Sequence, residues 1–442
     1  MEYVVALAAV ILGIYRTWHT PLYPLVFATY FNSLKYWLSL RVPFFYSNTY
    51  LLDIAFVGLV LLAIARHVVP DWRRHIRPTS IEVGLILAVI YSWISFTWTP
   101  PVPFPIDNRP DFVSHTMANQ IVYLVLLPLL LRAGLNRIHE LPRDFLVIGL
   151  TTSLLLSQTL DWYNRGARYL FEVTDPVTGA PLEIGSNALG TALFASTMIL
   201  AAVIFVRRSW IGMAVSAAIV FFSADLLIES QTRGQTVATI LALMAFVPVA
   251  NSYIRRENAL YTIPLLAVGS VVAVLLSTTV IPETLANVGF DESYYSRFSK
   301  ETMLEDVQDR RKFIGDVTDA WLRSPFAMVF GLGTASSYYY TGSYIHNVVL
   351  EVLYEQGVFI WLIYFYVLMQ TIMALGKTFF TFDISRDDRR SLGFFGALFF
   401  VLLLSSLKEG AFYNSCEFML IIPCCAILSD WFQKRAGRSG GD

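Results

Sequence analysis

Ser391-Leu392-Gly393-Phe394-Phe395-Gly396-Ala397-Leu398-Phe399-Phe400-Val401-Leu402-Leu403-Leu404 contains no ionisable side chain and no alternation of polar with apolar residues. A helix needs ~20 apolar residues to cross ~30 Å of hydrocarbon, and this run approaches that length. The chain repeats the pattern about thirteen times, in blocks of about 15 to 22 residues. The blocks begin near residues 2, 21, 50, 80, 116, 144, 188, 209, 234, 259, 346, 391 and 417. Twelve is the alternative count, because 2–15 is short and 21–41 contains Lys35 among tyrosines and tryptophans.

Composition agrees with this reading. Of 442 residues, 56% are hydrophobic, 15% aromatic and only 15% charged, against roughly 25% charged in an average soluble domain. Mean hydropathy is +0.56. A soluble enzyme could not cover its surface with so few polar groups, and a disordered chain would not be so apolar. Three cysteines make no disulfide scaffold. The net charge of −1 gives no attraction to nucleic acid, so no nucleic-acid partner is expected. The fold class expected is an all-α, polytopic membrane protein of 12–13 transmembrane helices, with the lipid bilayer as its first partner. The N-terminus lacks a basic lead and a small-residue cleavage site, so no cleavable signal is expected.

Lys and Arg in short loops set orientation. Arg66, Arg73, Arg74 and Arg77 form one set, joined by Arg132, Arg137 and Arg143, then Arg207 and Arg208, then Arg255 and Arg256. Lys377, Arg386, Arg389 and Arg390 continue it, and Lys434, Arg435 and Arg438 close it. Their alternation with the block order places them, and the C-terminus, in the cytoplasm. The connections 99–115, 161–187, 229–233 and 408–416 then face outward. So does the far longer connection 281–345, whose own basic residues are exempt because long loops translocate regardless of charge.

That long loop is the place to look for function. A connection of such length is usually functional or disordered, and this one carries Trp321, Tyr338-Tyr339-Tyr340, Gly331 and Gly333. Met303, Val307, Ile314, Val317 and Trp321 recur at helical intervals, which predicts an amphipathic helix over 301–323.

Elimination narrows the chemistry. Of six histidines, only His115 and His346 fall firmly on the outer side. Cys416, Cys424 and Cys425 form no CxxC pair and lie in or beside the last block, where they read as small apolar residues. No metal site, redox pair, nucleotide loop or cofactor is expected.

Two outer helix starts stand out instead, since a helix N-terminus presents free N–H groups and partial positive charge. Thr232-Arg233-Gly234 opens one, and a guanidinium beside aligned N–H groups suits a diphosphate. His346-Asn347 opens another, where the dipole would disfavour the imidazolium and leave a neutral ring able to accept a proton. The plainer alternatives are a snorkelling interfacial arginine and a histidine bonded to loop backbone. Glu351 and Glu355 follow on the same helix at a depth where ionisable residues need a reason. Glu355 lies about half a turn around from His346 and roughly 13 Å along. It reads as an internal strut paired with an arginine or with backbone.

Trp321, Pro325, Gly331-Leu332-Gly333, His346-Asn347-Val348-Val349-Leu350 and Glu355-Gln356-Gly357 together resemble the signature of the bacterial O-antigen ligase and O-antigen polymerase superfamily. Thr232-Arg233-Gly234 is similar to its Ser-Arg-Gly, with Thr for Ser. Arg168 with Gly185-Ser186-Asn187-Ala188 resembles its R…NxxA segment. The likeness covers about residues 160 to 375. The spacing from Pro325 to Gly331 departs from the family's pattern, and the family's loop arginine matches Arg310 or Arg311.

The resemblance implies a GT-C-like glycosyltransferase with its active site facing the periplasm of a bacterial inner membrane. The donor would be an undecaprenyl-diphosphate-linked glycan and the acceptor a lipid A core or another glycan. His346 would be the base in a metal-independent, inverting displacement. Arg233, Arg310, Arg311 and Arg168 would bind the diphosphate, while Asn347, Glu355, Gly331, Gly333, Trp321 and Asn187 would support the site. On this reading 1–160 are N-terminal membrane helices, 161–375 the catalytic region with loop 281–345, and 376–442 the last helices and a cytoplasmic tail. A polymerase of the same superfamily is the alternative within the class. A lipid-linked oligosaccharide flippase is the alternative outside it, although a flippase should show charges through many spans and repeat symmetry, which this chain lacks.

Overall fold

The computed structural model describes residues 2–42, 44–45, 48, 50–101, 116–157, 170–174, 181–185, 188–206, 209–230, 232–250, 300–342, 345–381, 384–408, 412 and 415–439. The block near 259, Arg255, Arg256, Arg168, Asn187, Arg207, Arg208, His115 and the loop from 281 to 299 lie outside the described residues.

The protein is a polytopic helical membrane protein. Among the described residues, seven helical runs are long and apolar enough to cross a membrane: Tyr50–His75, Ser80–Trp98, Thr116–Leu156, Trp210–Ile228, Val348–Phe380, Arg386–Ser406 and Cys416–Gly437. Leu189–Ile204 and Gly234–Ala250 are shorter apolar helices. Among the described residues, one antiparallel hairpin pairs Leu170–Thr174 with Pro181–Gly185 in a register that sets Leu170 opposite Gly185.

The run expected over 21–41 is not one helix. It divides into Tyr23–Ala28 and Phe31–Arg41, with Thr29 and Tyr30 between them. Neither piece reaches the ~20 residues of a span, and Lys35 is neutralised by Asp53 at 2.6 Å. The run expected from 346 is longer than one span, because Val348–Thr381 covers 34 residues. It is broken at Gly357 (φ 81°, ψ 170°).

The chain forms two compact units, each assembled from separated segments. The first comprises Met1–His75, Leu130–Lys300 and Ser385–Val401. Its helices Leu141–Ser157, Ala188–Ile204 and Trp210–Glu229 pack on one another, with Phe145, Phe205 and Phe394 meeting ring to ring at 4.7 to 6.5 Å. Several polar groups inside it are paired. Ser153 shares a hydrogen bond with Ser223 at 3.0 Å, Thr239 donates to Ser196 at 2.7 Å, and Arg16 forms an ion pair with Asp144.

The second unit comprises Ile76–Leu129, Glu301–Ile384 and Leu402–Asp442. Ser80–Ser95 begins with a capping box in which Thr79 and Glu82 satisfy each other's backbone N–H groups. This helix packs along Val348–Thr381. Lys300–Leu322 is the amphipathic helix expected over 301–323. Ile314, Val317 and Trp321 of its apolar stripe pack against Ile345, Leu350, Leu353 and Tyr354.

Candidate functional site

The candidate site belongs to the second unit and rests on a backbone clasp. Pro325–Phe330 is a short helix capped by Ser324, whose hydroxyl accepts the Ala327 N–H at 3.2 Å. The chain then runs through Gly331-Leu332-Gly333 directly across the break at Glu355-Gln356-Gly357. The Leu332 N–H donates to the Tyr354 carbonyl at 2.8 Å and the Gly333 N–H to the Glu355 carbonyl at 2.9 Å. A Cβ on Gly331 would lie 2.1 Å from the Glu355 carbonyl oxygen, and one on Gly357 would lie 2.2 Å from that of Val329. Both residues have φ of +81°. With ψ near 170°, this conformation is open essentially to glycine alone, so the GxG and ExG motifs are two halves of one contact.

Glu355 locks the clasp. Its carboxylate accepts the N–H groups of Ala335 and Ser337 at 2.7 and 3.1 Å and the Ser337 hydroxyl at 2.6 Å. The strut therefore ends on backbone and a hydroxyl. It holds Ala335 at φ +63°, a left-handed conformation costly for a non-glycine residue.

A second network closes behind it. The Thr334 N–H donates to Ser95 Oγ at 3.2 Å, and Ser95 Oγ donates to Gln356 Oε1 at 3.0 Å. Gln356 Nε2 donates to Thr334 Oγ1 at 2.6 Å, and Thr334 Oγ1 donates to the Ser92 carbonyl at 2.8 Å. Trp98 Nε1 and Tyr91 OH donate to the carbonyls of Gly331 and Phe330 at 3.3 and 2.8 Å. Sequence reasoning missed Ser92, Ser95 and Thr334, and quoted Gln356 only as the middle residue of the Glu355-Gln356-Gly357 motif. For Ser92 and Ser95 the signal was small hydroxyl residues near the end of an apolar span.

His346 sits at the edge of this scaffold, half-buried with φ +59°, and histidine is among the side chains enriched in that conformation. The expectation that it opens the helix is refined. The helix starts at Val348, and Asn347 is its cap, with Oδ1 accepting the Leu350 N–H at 3.0 Å. His346 therefore stands one residue outside, and the dipole reaches it less than it reaches the first turn. Asn347 Nδ2 also donates to the Leu407 carbonyl at 2.9 Å. One turn on, buried Glu351 accepts the Phe412 N–H at 2.9 Å. Both therefore fasten the connection that follows Ser406 beside His346. Ile345, 1% exposed, anchors the other flank in the cluster with Val317 and Tyr354. Trp321 stacks edge-on against Tyr354 at 5.6 Å, and Thr318 donates to the Tyr354 hydroxyl at 2.9 Å.

The second unit thus brings together Trp321, Gly331, Gly333, His346, Asn347 and Glu355. Arg311 is exposed on the helix Lys300–Leu322, and Arg310 occupies the preceding position, its side chain outside the described residues. Arg233 is the first residue of the helix Arg233–Ala250 in the other unit, and its side chain is likewise outside the described residues. Among the described residues, no group of three or more His, Cys, Asp and Glu is arranged to hold a metal ion.

No protein-family model matches the chain. No curated protein is detectably similar to it in sequence.

Proposed function

We propose that the protein is a membrane glycosyltransferase of the O-antigen ligase type, transferring a glycan from undecaprenyl diphosphate to an acceptor hydroxyl at the outer face of a bacterial inner membrane. The observation that carries the reading is the clasp. Motif residues separated in sequence meet in one unit, with glycine required on both sides of the contact, and His346 lies beside it on an anchored, left-handed turn. A structural core rarely needs so much backbone constraint, whereas a site that must hold one imidazole in place does.

In the reaction, the acceptor oxygen attacks the anomeric carbon while the carbon–oxygen bond to the diphosphate breaks. His346 takes the acceptor's proton, and undecaprenyl diphosphate leaves as an anion. Direct displacement inverts the anomeric carbon. The arginines are assigned to the diphosphate because a planar guanidinium makes paired bonds to phosphate oxygens. Arg233 and one of Arg310 and Arg311 carry that role, each on the strength of its own motif position.

Purified protein mixed with lipid-linked glycan and either lipid A core or a second lipid-linked glycan tests the reading. Elongation of the lipid A core, with released undecaprenyl diphosphate in equal amount, is expected. Elongation of the lipid-linked glycan instead would make it a polymerase. Movement of the lipid across a vesicle bilayer with no transfer would make it a flippase.

A further inference from the structure

The first unit carries a feature that glycan transfer does not use. Tyr50–His75 is a 26-residue run, about 39 Å of helix at 1.5 Å per residue against ~30 Å of hydrocarbon. That length leaves room for its cationic last part, from Arg66 to His75, to reach headgroup depth. There the backbone changes pitch, to a π-helix over Ile64–Val68, a 3-10 turn over Val69–Asp71 and a last turn over Trp72–His75. The emerging side chains are mostly bulky apolar or cationic, with Asp71 the single exposed carboxylate among them. Val69 and Trp72 are 57% and 51% exposed, and Arg66, Arg73 and Arg74 are exposed beside them.

The surrounding unit adds to the charge. The end of Glu2–His19 comes to the same place, since His67 Nε2 lies 3.1 Å from the Thr17 carbonyl and Arg66 lies over the Trp18 ring at 4.9 Å. Arg137 donates to the His19 carbonyl, and Arg143 is exposed next to Asp144. Asp144 is already committed to Arg16. Among the described residues, Arg66, Arg73, Arg74, Arg137 and Arg143 have no carboxylate ion pair. Arg66 and Arg73 instead lie over indole rings, at 4.9 and 5.6 Å, an arrangement typical of the interface between hydrocarbon and headgroups.

We propose that this surface is a docking site for anionic glycerophospholipid in the leaflet that the positive-inside rule assigns to the cytoplasm. Charge complementarity selects the occupant. Arginines that outnumber the carboxylates around them and form no ion pair with one among the described residues attract, at headgroup depth, lipid phosphates that carry net negative charge, while Val69, Trp72 and Trp18 lie against the acyl region. A soluble anion would use the charges but not the exposed apolar side chains between them. The site is independent of the transfer reaction and holds whether or not that reading does.

Native mass spectrometry of the detergent-purified full chain, offered equal phosphatidylglycerol and phosphatidylcholine with matched acyl chains, tests the site. Phosphatidylglycerol should be retained with about tenfold preference. The preference should collapse in Arg66→Ala/Arg73→Ala/Arg74→Ala and persist in Lys434→Ala/Arg435→Ala, which removes basic residues elsewhere. Should the triple variant fail to elute as a folded species, the wild-type preference must still shrink as salt is raised, because exposed charges are screened. Equal retention of the two lipids, a preference indifferent to both the arginines and salt, or complete displacement by inorganic phosphate would each overturn the proposal.

Discussion

Asp144 in the first unit and Glu355 in the second are both buried carboxylates, 5% and 1% exposed, and they are satisfied in opposite ways. Asp144 is matched by a guanidinium from Arg16, a side chain far away in sequence. Glu355 has no cation among its described partners; it receives two backbone N–H groups and a hydroxyl from one short loop. An ion pair fastens helix to helix and leaves the backbone of each unchanged. A carboxylate held by N–H groups two residues apart dictates the shape of the loop that supplies them. The first arrangement is architecture, and the second sets the geometry of the turn at Ala335 and Ser337, in the loop that leads to His346.

The comparison breaks first at the clasp. Gly331→Ala or Gly357→Ala should leave little folded protein, since a methyl would sit about 2 Å from a carbonyl oxygen in a conformation reserved for glycine. Gly376→Ala, with nothing within 4 Å of the added methyl, should be neutral. The monodisperse fraction in detergent separates these outcomes. Comparable yields would mean that the two motifs do not press on each other.

Arg16→Ala should rank next, because it leaves Asp144 buried and uncompensated, a loss of about 3–5 kcal/mol. Arg16→Met/Asp144→Leu should recover most of that stability in thermal unfolding, as expected of a pair that serves architecture. No recovery in the double variant would give the pair a further role.

Glu355→Gln should cost less stability, about 1–3 kcal/mol, through an amide facing N–H donors. Transfer activity should fall further than stability does, and this asymmetry separates loop geometry from architecture. Parallel losses would reduce Glu355 to a core contact. Smallest of all, Lys35→Ala should change stability by about 0–1 kcal/mol, since both partners of that ion pair are about a quarter exposed.

The membrane class was legible because burial in lipid writes itself into uninterrupted apolar runs such as 391–404. The amphipathic helix Lys300–Leu322 was legible for the same reason, with Ile314, Val317 and Trp321 at helical spacing. The clasp was legible only as two motifs. What joins them is the absence of a Cβ at Gly331 and Gly357, and nothing in the chain announces which backbone will occupy that space. Ser95 and Thr334 were invisible because their hydrogen bond links residues 239 positions apart. The helix start at Val348 was misplaced by two residues, since Asn347 caps as well as it would continue. The break within 21–41 carried no proline or glycine at Thr29 and Tyr30 to mark it.

Single-turnover transfer by His346→Ala tests the proposed role of His346 as base most directly. With purified protein and saturating lipid-linked donor, the chemical step should slow by about 10²- to 10⁴-fold, with donor binding and thermal stability close to wild type. Transfer at the wild-type rate, or a loss confined to donor binding with the chemical step intact, would contradict the account.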